Sequence, residues 1–525
     1  MFDIIIRGGT IIDGTKAARF RGDLGIQGDR ITQIGDLSQT ETRVSIDAVG
    51  KIVAPGFVDV HNHSDGWMLK RPHLLSKTIQ GFTTEVLMLD GISYAPVNEQ
   101  TARQWLFYLR PLDGLQMDEY RGWQSIAEFM DCIDGNNVQN AIAHVPYANV
   151  RSLVCGFGRG SVDDFQMGQI KAEISKGMQE GAVGISTGLD YIAQCFSTTD
   201  ELVEAASAMA EYNGLYVTHV RYKSGRIRAI QEAVDIGRRA GVRVHISHLQ
   251  EEGQRAVDEL LNYIDNVARQ QVDLSFDVYP YRPGSTMLSY LLPYEVWDDG
   301  PLAALSKLHD TGIRTRFRES LKAYPCDLDK MTIAWVASKD NSRHQGKLLS
   351  QYVAETGVPA EEALLDLLIE ERLAVLLVFD KGDDKFVQPF LQHDLYMLGT
   401  DGIFFDDAAV HPRQFGSSGR LLGRCVRDWK LFSLEEAVYK LSGYAADRFG
   451  LENRSILREG NFADLVIFDP ETIIDPATLQ NPQQHTVGIE HVLVNGVPII
   501  RDGTAIESTE QRLPGRSLKH QRGEP

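Results

Sequence analysis

Cysteine is scarce in this chain, with five residues in 525, at positions 132, 155, 195, 326 and 425. None stands in a Cys-x-x-Cys pair and the number is odd, so neither a disulfide framework nor a cysteine-based zinc knuckle is expected. Positive charge is also in deficit. Fifty-three Lys and Arg face 72 Asp and Glu, giving a net charge of -19, and no long block of basic residues occurs. That argues against nucleic acid or an anionic membrane surface as the main partner, and the acidity reads as solubility. Long apolar runs are missing too. No window reaches the length of a membrane span. The opening stretch MFDIIIRGGTIIDG holds an apolar run far shorter than a signal peptide's, bracketed by Asp3 and Arg7. A reducing cytoplasm is the expected location. Low-complexity tracts, internal repeats and Pro/Gly/Ser linkers do not stand out.

What remains is an ordinary globular composition, 43% hydrophobic and 24% charged. The length suits a large α/β barrel with an accessory domain. Residues 1–54 read as short strands separated by Gly and Asp turns, and NFADLVIFD (461–469) and HVLVNGVPIIRDG (491–503) share that texture. Asn495-Gly496 between apolar runs is a hairpin signal. The two ends are therefore expected to join in one small β domain, 1–54 with 455–515, leaving 516–525 as a tail. In the middle, LYVTHV, VRVHISHL and VDLSFDVY look like buried strands. Helix-like segments ending at Gly214 and Gly241 separate them. This strand–helix–strand rhythm over 55–454 is that of a parallel sheet. Residues 290–350 interrupt it and are expected to form a lid.

Polar residues recur at the ends of the apolar runs. His61 and His63 close VAPGFVDVHNHSDG, and residues two apart share one face of a strand. His219 ends LYVTHV, His248 lies near the end of VRVHISHL, Asp90 follows TTEVLML and Asp401 follows LYMLGT. A barrel places its chemistry at strand C-termini. Four imidazoles and two carboxylates suit one or two divalent ions, zinc by ligand type, with room left for water. A bound ion would activate water against a carbonyl, and a carboxylate could carry the proton. His245 falls on the other strand face and reads as structural. His73, His144, His411 and His485 read as surface or satisfied histidines, and Asp59 as a ligand neighbour or a buried hydrogen-bond partner.

Taken in order, APGFVDVHNHSD, GFTTEVLMLDGIS, GAVGISTGLDY, YVTHVRYKSG, VHISHLQ, DVYPYRPGSTML, GTDG, HPRQFG and FADLVIFDP resemble the amidohydrolase superfamily. Within it they are most similar to the N-acyl-D-amino-acid deacylases. The resemblance implies a distorted (β/α)8 TIM barrel carrying a small β-sandwich domain formed by both termini. It implies His61 and His63 at one zinc position, His219 and His248 at the other, and Asp401 as the acid/base beside the metal. It also implies that Tyr279, Ser285 and Arg413 hold a substrate carboxylate while Tyr191 lines the pocket. The expected partner is a small N-acyl amino acid, with neither nucleic acid nor membrane, and a homo-oligomer is left open.

Two positions depart from the pattern. Relatives carry a metal-binding cysteine where Asp90 stands, so a harder ligand that can bridge two ions through its two oxygens replaces a thiolate. LVCGFGRG (153–160) stands where relatives carry a Gly-His-Gly segment. Two other readings compete. A cyclic-amide hydrolase of the hydantoinase type would need a bridging lysine, and Lys223 is out of phase for it. A barrel that has lost catalysis would not need all five of His61, His63, His219, His248 and Asp401.

Overall fold

The computed structural model describes residues 1–323, 327–507 and 510–520. Cys326 lies outside them, and the other four cysteines are free thiols. The runs read as buried strands form a parallel barrel. Ile185–Gly188, Leu215–His219, Arg243–Ile246, Leu274–Val278 and Tyr396–Leu398 pair side by side in that order. Ile185–Gly188 also pairs with Val145–Pro146. The same stretch of chain, as Asn140–Ala143, pairs with Phe82–Leu87, which pairs with Phe57–Asp59. Gly402–Ile403 then pairs with Asn62–His63, and Asp401 N donates to His61 O at 2.7 Å, closing the circle. Among the described residues this is a ring of parallel strands with its C-terminal ends on one face. Leu215–His219 and Leu274–Val278 are buried at every position, which is why they read as continuous apolar runs instead of alternating.

The helices between them obey local rules. Thr198 caps Thr199–Ser207 by accepting from Glu201 N, and Arg226–Ala240 stops at Gly241, whose φ of 70° a side chain would strain. The helix expected to run to Gly214 ends sooner. A 3-10 turn at Ala210–Tyr212 and Asn213, with φ 52°, redirect the chain into Leu215–His219.

Strands from both ends of the chain join in one nine-stranded sheet, in which Ile52–Pro55 bridges Phe2–Ile11 and Leu465–Phe468. Its two faces do different jobs, as a period of two requires. Val53, Leu465, Ile467 and Leu493 close a small core of the sheet's own with Ile4, Leu24 and Ile31. Ile52, Ala54, Val466, Phe468 and Val492 pack into the barrel's main core.

Between Val278 and Tyr396 the chain leaves the barrel. This excursion contains an antiparallel sheet of Gly284–Met287, Val375–Phe379 and Met331–Val336, with helices including Pro301–Lys307, Thr311–Ala323 and Ala360–Glu370. The segment 290–350 falls inside it. Residues 513–520 form a strap under the barrel: Ala141 N donates to Arg516 O at 2.9 Å, and His520 N to Gly181 O at 2.9 Å.

Phe468 is fully buried between sheet and barrel, with its ring centroid 6.5 Å from that of Phe57. Phe468→Ala should lower stability by about 3–5 kcal/mol, read as a reduced denaturation midpoint. A midpoint unchanged from wild type would mean that the sheet does not depend on this contact.

Candidate metal centre

The strand ends bring the predicted residues together. His63 lies in the short pair Asn62–His63 and His219 ends Leu215–His219, while Asp90, His248 and Asp401 each stand just beyond a strand. Those three occupy left-handed backbone, with φ of 55°, 37° and 48°. Such conformations cost roughly 1–3 kcal/mol each and persist where the surroundings over-determine them. Two glycines allow the approach. A Cβ on Gly188 would lie 2.4 Å from Asp90 O, and one on Gly399 2.6 Å from His61 Cβ.

Asp90 is the centre of the cluster. Its Oδ1 lies 3.5 Å from His61 Nε2 and 3.8 Å from His248 Nε2. Its Oδ2 lies 3.8 Å from His63 Nε2 and 3.9 Å from His219 Nδ1. His219 Nδ1 and His248 Nε2 are 3.0 Å apart. His61, His63 and Asp90 form one group of donors close enough to share an ion, and Asp90, His219 and His248 a second. Ligand bonds of about 2.0–2.1 Å at tetrahedral angles put donor atoms about 3.3 Å apart, and the observed separations scatter around that value. His61 Nε2 and Asp90 Oδ1 are buried with no hydrogen-bond partner among the described residues. Buried polar atoms are rarely left so. The donor set fits divalent ions.

The other nitrogen of each imidazole faces an acceptor. His61 Nδ1 lies 3.5 Å from Asp277, His63 Nδ1 3.7 Å from Asp113 and His219 Nε2 3.6 Å from Asp190. His248 Nδ1 lies 3.4 Å from the Tyr222 hydroxyl, which donates to Ser247 O at 3.0 Å. Such outer partners fix which nitrogen points inward. His245, read from sequence as structural, bonds Asp277 at 3.0 Å and so helps to fix the carboxylate behind His61. His144 and His411 are fully buried, near Leu87 O and Arg413 N respectively. Asp59 is a hydrogen-bond partner, of Thr400 and Lys77.

The field here is negative. Burial alone would lower the His61 pKa, but Asp277 and Asp90, with Asp401 behind them, carry it up to about 10. Burial likewise works to raise Asp90, yet His61, His248 and His219 hold it well below the usual carboxylate range. Asp401 is held low against the same burial by Arg413 first and then His63.

Asp401 sits beside the first group, Oδ1 3.3 Å from His63 Nε2, while Oδ2 meets Arg413 Nη1 at 2.8 Å. Arg413 is fully buried and stacks on Tyr279, 4.4 Å from the ring centroid. Its Nε and Nη2 have no hydrogen-bond partner among the described residues. Ser285, on the excursion's sheet, donates to Leu377 O at 2.7 Å. The Tyr191 ring lies 4.7 Å from that of His219. In the departing segment 153–160, Gly158 and Gly160 carbonyls accept from Arg151, and Arg159 pairs with Asp298. A cavity of about 510 Å3 opens between Trp67, Leu115 and Arg121, but none of the clustered residues lines it.

A family model described as the amidohydrolase family matches residues 45–307 and 394–500, well over half of the chain. The chain belongs to the amidohydrolase family. A D-aminoacylase of Alcaligenes xylosoxydans xylosoxydans is 34% identical, covering 95% of this chain and 94% of its own length. An N-acyl-D-aspartate deacylase of the same organism is 33% identical over 98% and 95%. The crystal structure of an N-acyl-D-glutamate deacylase from Bordetella bronchiseptica, complexed with zinc and a phosphonate mimic of the tetrahedral intermediate, superposes with a TM-score of 0.83. It is 30% identical and covers 99% of both chains.

In this amidohydrolase the outer partners Asp113, Asp190, Asp277 and Tyr222 escaped the sequence reading. Asp277 and Asp190 stand at strand ends and could have been counted with the rest. Asp113 comes from a loop far from His63 in sequence and leaves no local signal.

A raised folded pKa adds stability that is fully present below the unfolded value, near 6.5 for histidine, and is lost as pH rises through the folded value. Metal-stripped protein should therefore lose midpoint temperature between pH 6.5 and about 10, where His61 sheds its proton. A bound cation takes the proton's place, so the gap between metal-loaded and stripped protein should widen over that window. Parallel curves for the two forms would refute this account of the cluster.

Proposed function

We propose that this protein is a zinc hydrolase that cleaves the amide bond of N-acyl-D-amino acids. The observation that carries the reading is the pair of three-residue donor groups sharing Asp90, with the Asp401–Arg413 pair directly beside them. The similarity to the deacylases supports the substrate class and handedness. His61 and His63 would hold one ion, His219 and His248 the other, and Asp90 would bridge. When bound, the metal supplies Lewis acidity towards the scissile carbonyl and lowers the pKa of water.

The chain's own groups do the rest. Asp401, kept ionised by Arg413, is poised to take a proton at Oδ1 and deliver it to the departing amine nitrogen. Arg413 spends Nη1 on Asp401, which leaves Nε and Nη2 as a planar edge for the substrate's α-carboxylate. Tyr279 fixes the plane of that guanidinium by stacking. Ser285, which donates to Leu377 O, would offer its hydroxyl to the same carboxylate, and Tyr191 would form a wall beside His219. In the domain plan, 1–54 with 455–515 brace the barrel of 55–454, and 290–350, within the excursion, would cover the site as a lid. The hydantoinase-like reading is weaker, because Lys223 Nζ donates to Tyr290 O at 2.8 Å and lies over the Tyr290 and Tyr294 rings.

Zinc-loaded protein should release amine from N-acetyl-D-amino acids in preference to their L-enantiomers and to hydantoins; turnover of hydantoins alone would overturn the reading. Asp401→Asn should keep its metal, measured by elemental analysis, while kcat falls about 10³-fold. A variant of near-normal kcat would remove Asp401 from the proton path.

A further inference from the structure

Two cations face each other beside Arg413, and the deacylase reading uses neither. In the antiparallel pairing of Gly284–Met287 with Val375–Phe379, Gly284 stands opposite Phe379 and Ser285 opposite Val378. Extending that register by two residues sets Arg282 across from Lys381. Like charges placed opposite one another in a sheet are destabilising. Lys381 has no hydrogen-bond or ion-pair partner among the described residues; its Nζ lies 4.6 Å from the Phe379 ring, and only 3.2 Å from where a Cβ on Gly284 would stand. Arg282 is fully buried. Its Nη1 donates to Gln250 at 2.9 Å, its Nη2 reaches only the exposed Glu252 at 3.5 Å, and its Nε is unpartnered. The strand pair that leads to both cations also carries Ser285, and Arg413 and Asp401 are among the charges that act on Lys381.

Burial, together with Arg226, Arg282 and Arg413, pushes the half-buried Lys381 ammonium down to about 7 against the pull of Asp401. An anion at its side would restore the charge. The α-carboxylate already has Arg413, so the surplus charge at Arg282 and Lys381 calls for a second anionic group.

We infer that Lys381, backed by Arg282, binds a carboxylate on the substrate's side chain, so that the preferred substrates are N-acyl derivatives of acidic amino acids. This rests on the deacylase reading and narrows it. The test compares N-acetyl-D-glutamate with its near-isosteric amide N-acetyl-D-glutamine, and N-acetyl-D-aspartate with N-acetyl-D-asparagine, on zinc-loaded enzyme. L-enantiomers and N-acetyl-D-leucine serve as controls. Wild type should favour each acid over its amide by about 30-fold or more in kcat/KM. Lys381→Met should reduce that ratio by about 10-fold or more, chiefly through KM, and Lys381→Arg should largely restore it. An amide turned over as well as its acid overturns the inference while leaving the deacylase reading intact. So does a Lys381→Met variant that loses acid and amide equally, since Lys381 would then belong to the α-carboxylate clamp. No amine from any N-acetyl amino acid of either hand would sink both.

Discussion

The interaction on which the top of the barrel depends is the convergence of four imidazoles on one buried carboxylate. Asp90 faces His61, His63, His219 and His248 through its two oxygens, all within 3.9 Å. Burying that carboxylate with Asp401, Asp277 and Asp190 around it costs a great deal unless positive charge accompanies them. Protons on His61 and His63 supply it in the metal-free protein, and divalent ions do so when bound. The acceptors behind the rings fix the ring faces beforehand, so a metal finds its donors already turned inward. The same carboxylates that raise His61 therefore make the pocket a cation trap.

A second buried network keeps the turn that carries Asp401 in place from below. Lys77 is fully buried and bonded to Asp59, with Glu85 3.3 Å away. Burial raises Glu85 to about 8 against the pull of Lys77. Asp59 accepts from Thr400 N at 2.8 Å and Thr400 Oγ1 at 2.6 Å, one residue before Asp401. It also receives His61 N at 3.3 Å. One carboxylate thus ties the first and last barrel strands together under the site, and Asp401 can be held at φ 48° without relaxing. Removing either charge would leave the other buried and alone, a far larger penalty than the net worth of the pair.

How much of this the sequence disclosed follows from the distance over which each feature is encoded. His61 and His63 share one strand, and the parallel barrel gathers every strand end onto one face. A list of polar residues at the ends of apolar runs was therefore already a list of neighbours, Asp90, His219, His248 and Asp401 included. The two β-rich termini were legible from turn chemistry, although their pairing through Ile52–Pro55 was not encoded locally. Contacts between a strand end and a distant loop were hidden. Nothing near His63 announces Asp113, and nothing near Asp401 announces Lys77. The excursion after Val278 is longer than the 290–350 read from sequence, and Val375–Phe379 within it is as apolar as a barrel strand, yet it pairs antiparallel in a separate sheet. Hydrophobic pattern reports burial and is silent about partner or direction.

The family pattern and the excursion divide the labour of the molecule. The matched regions, 45–307 and 394–500, include His61, His63, Asp90, His219, His248, Asp401 and Arg413. The unmatched interval contains Val375–Phe379, the strand that pairs with Ser285's own, and Lys381 just beyond it. Barrel strands are held by neighbours on both sides and by packed cores on both faces, so their ends are the rigid place to hold ions and a proton carrier. The excursion's sheet meets the barrel as an added layer, and its loops can change sequence without disturbing the parallel ring. Chemistry fixed in the barrel and selectivity delegated to the excursion is the arrangement such a topology favours. Asp90 follows the same logic: the carboxylate at the centre of the donor cluster stands at the end of a barrel strand, on a different part of the fold from the excursion's sheet.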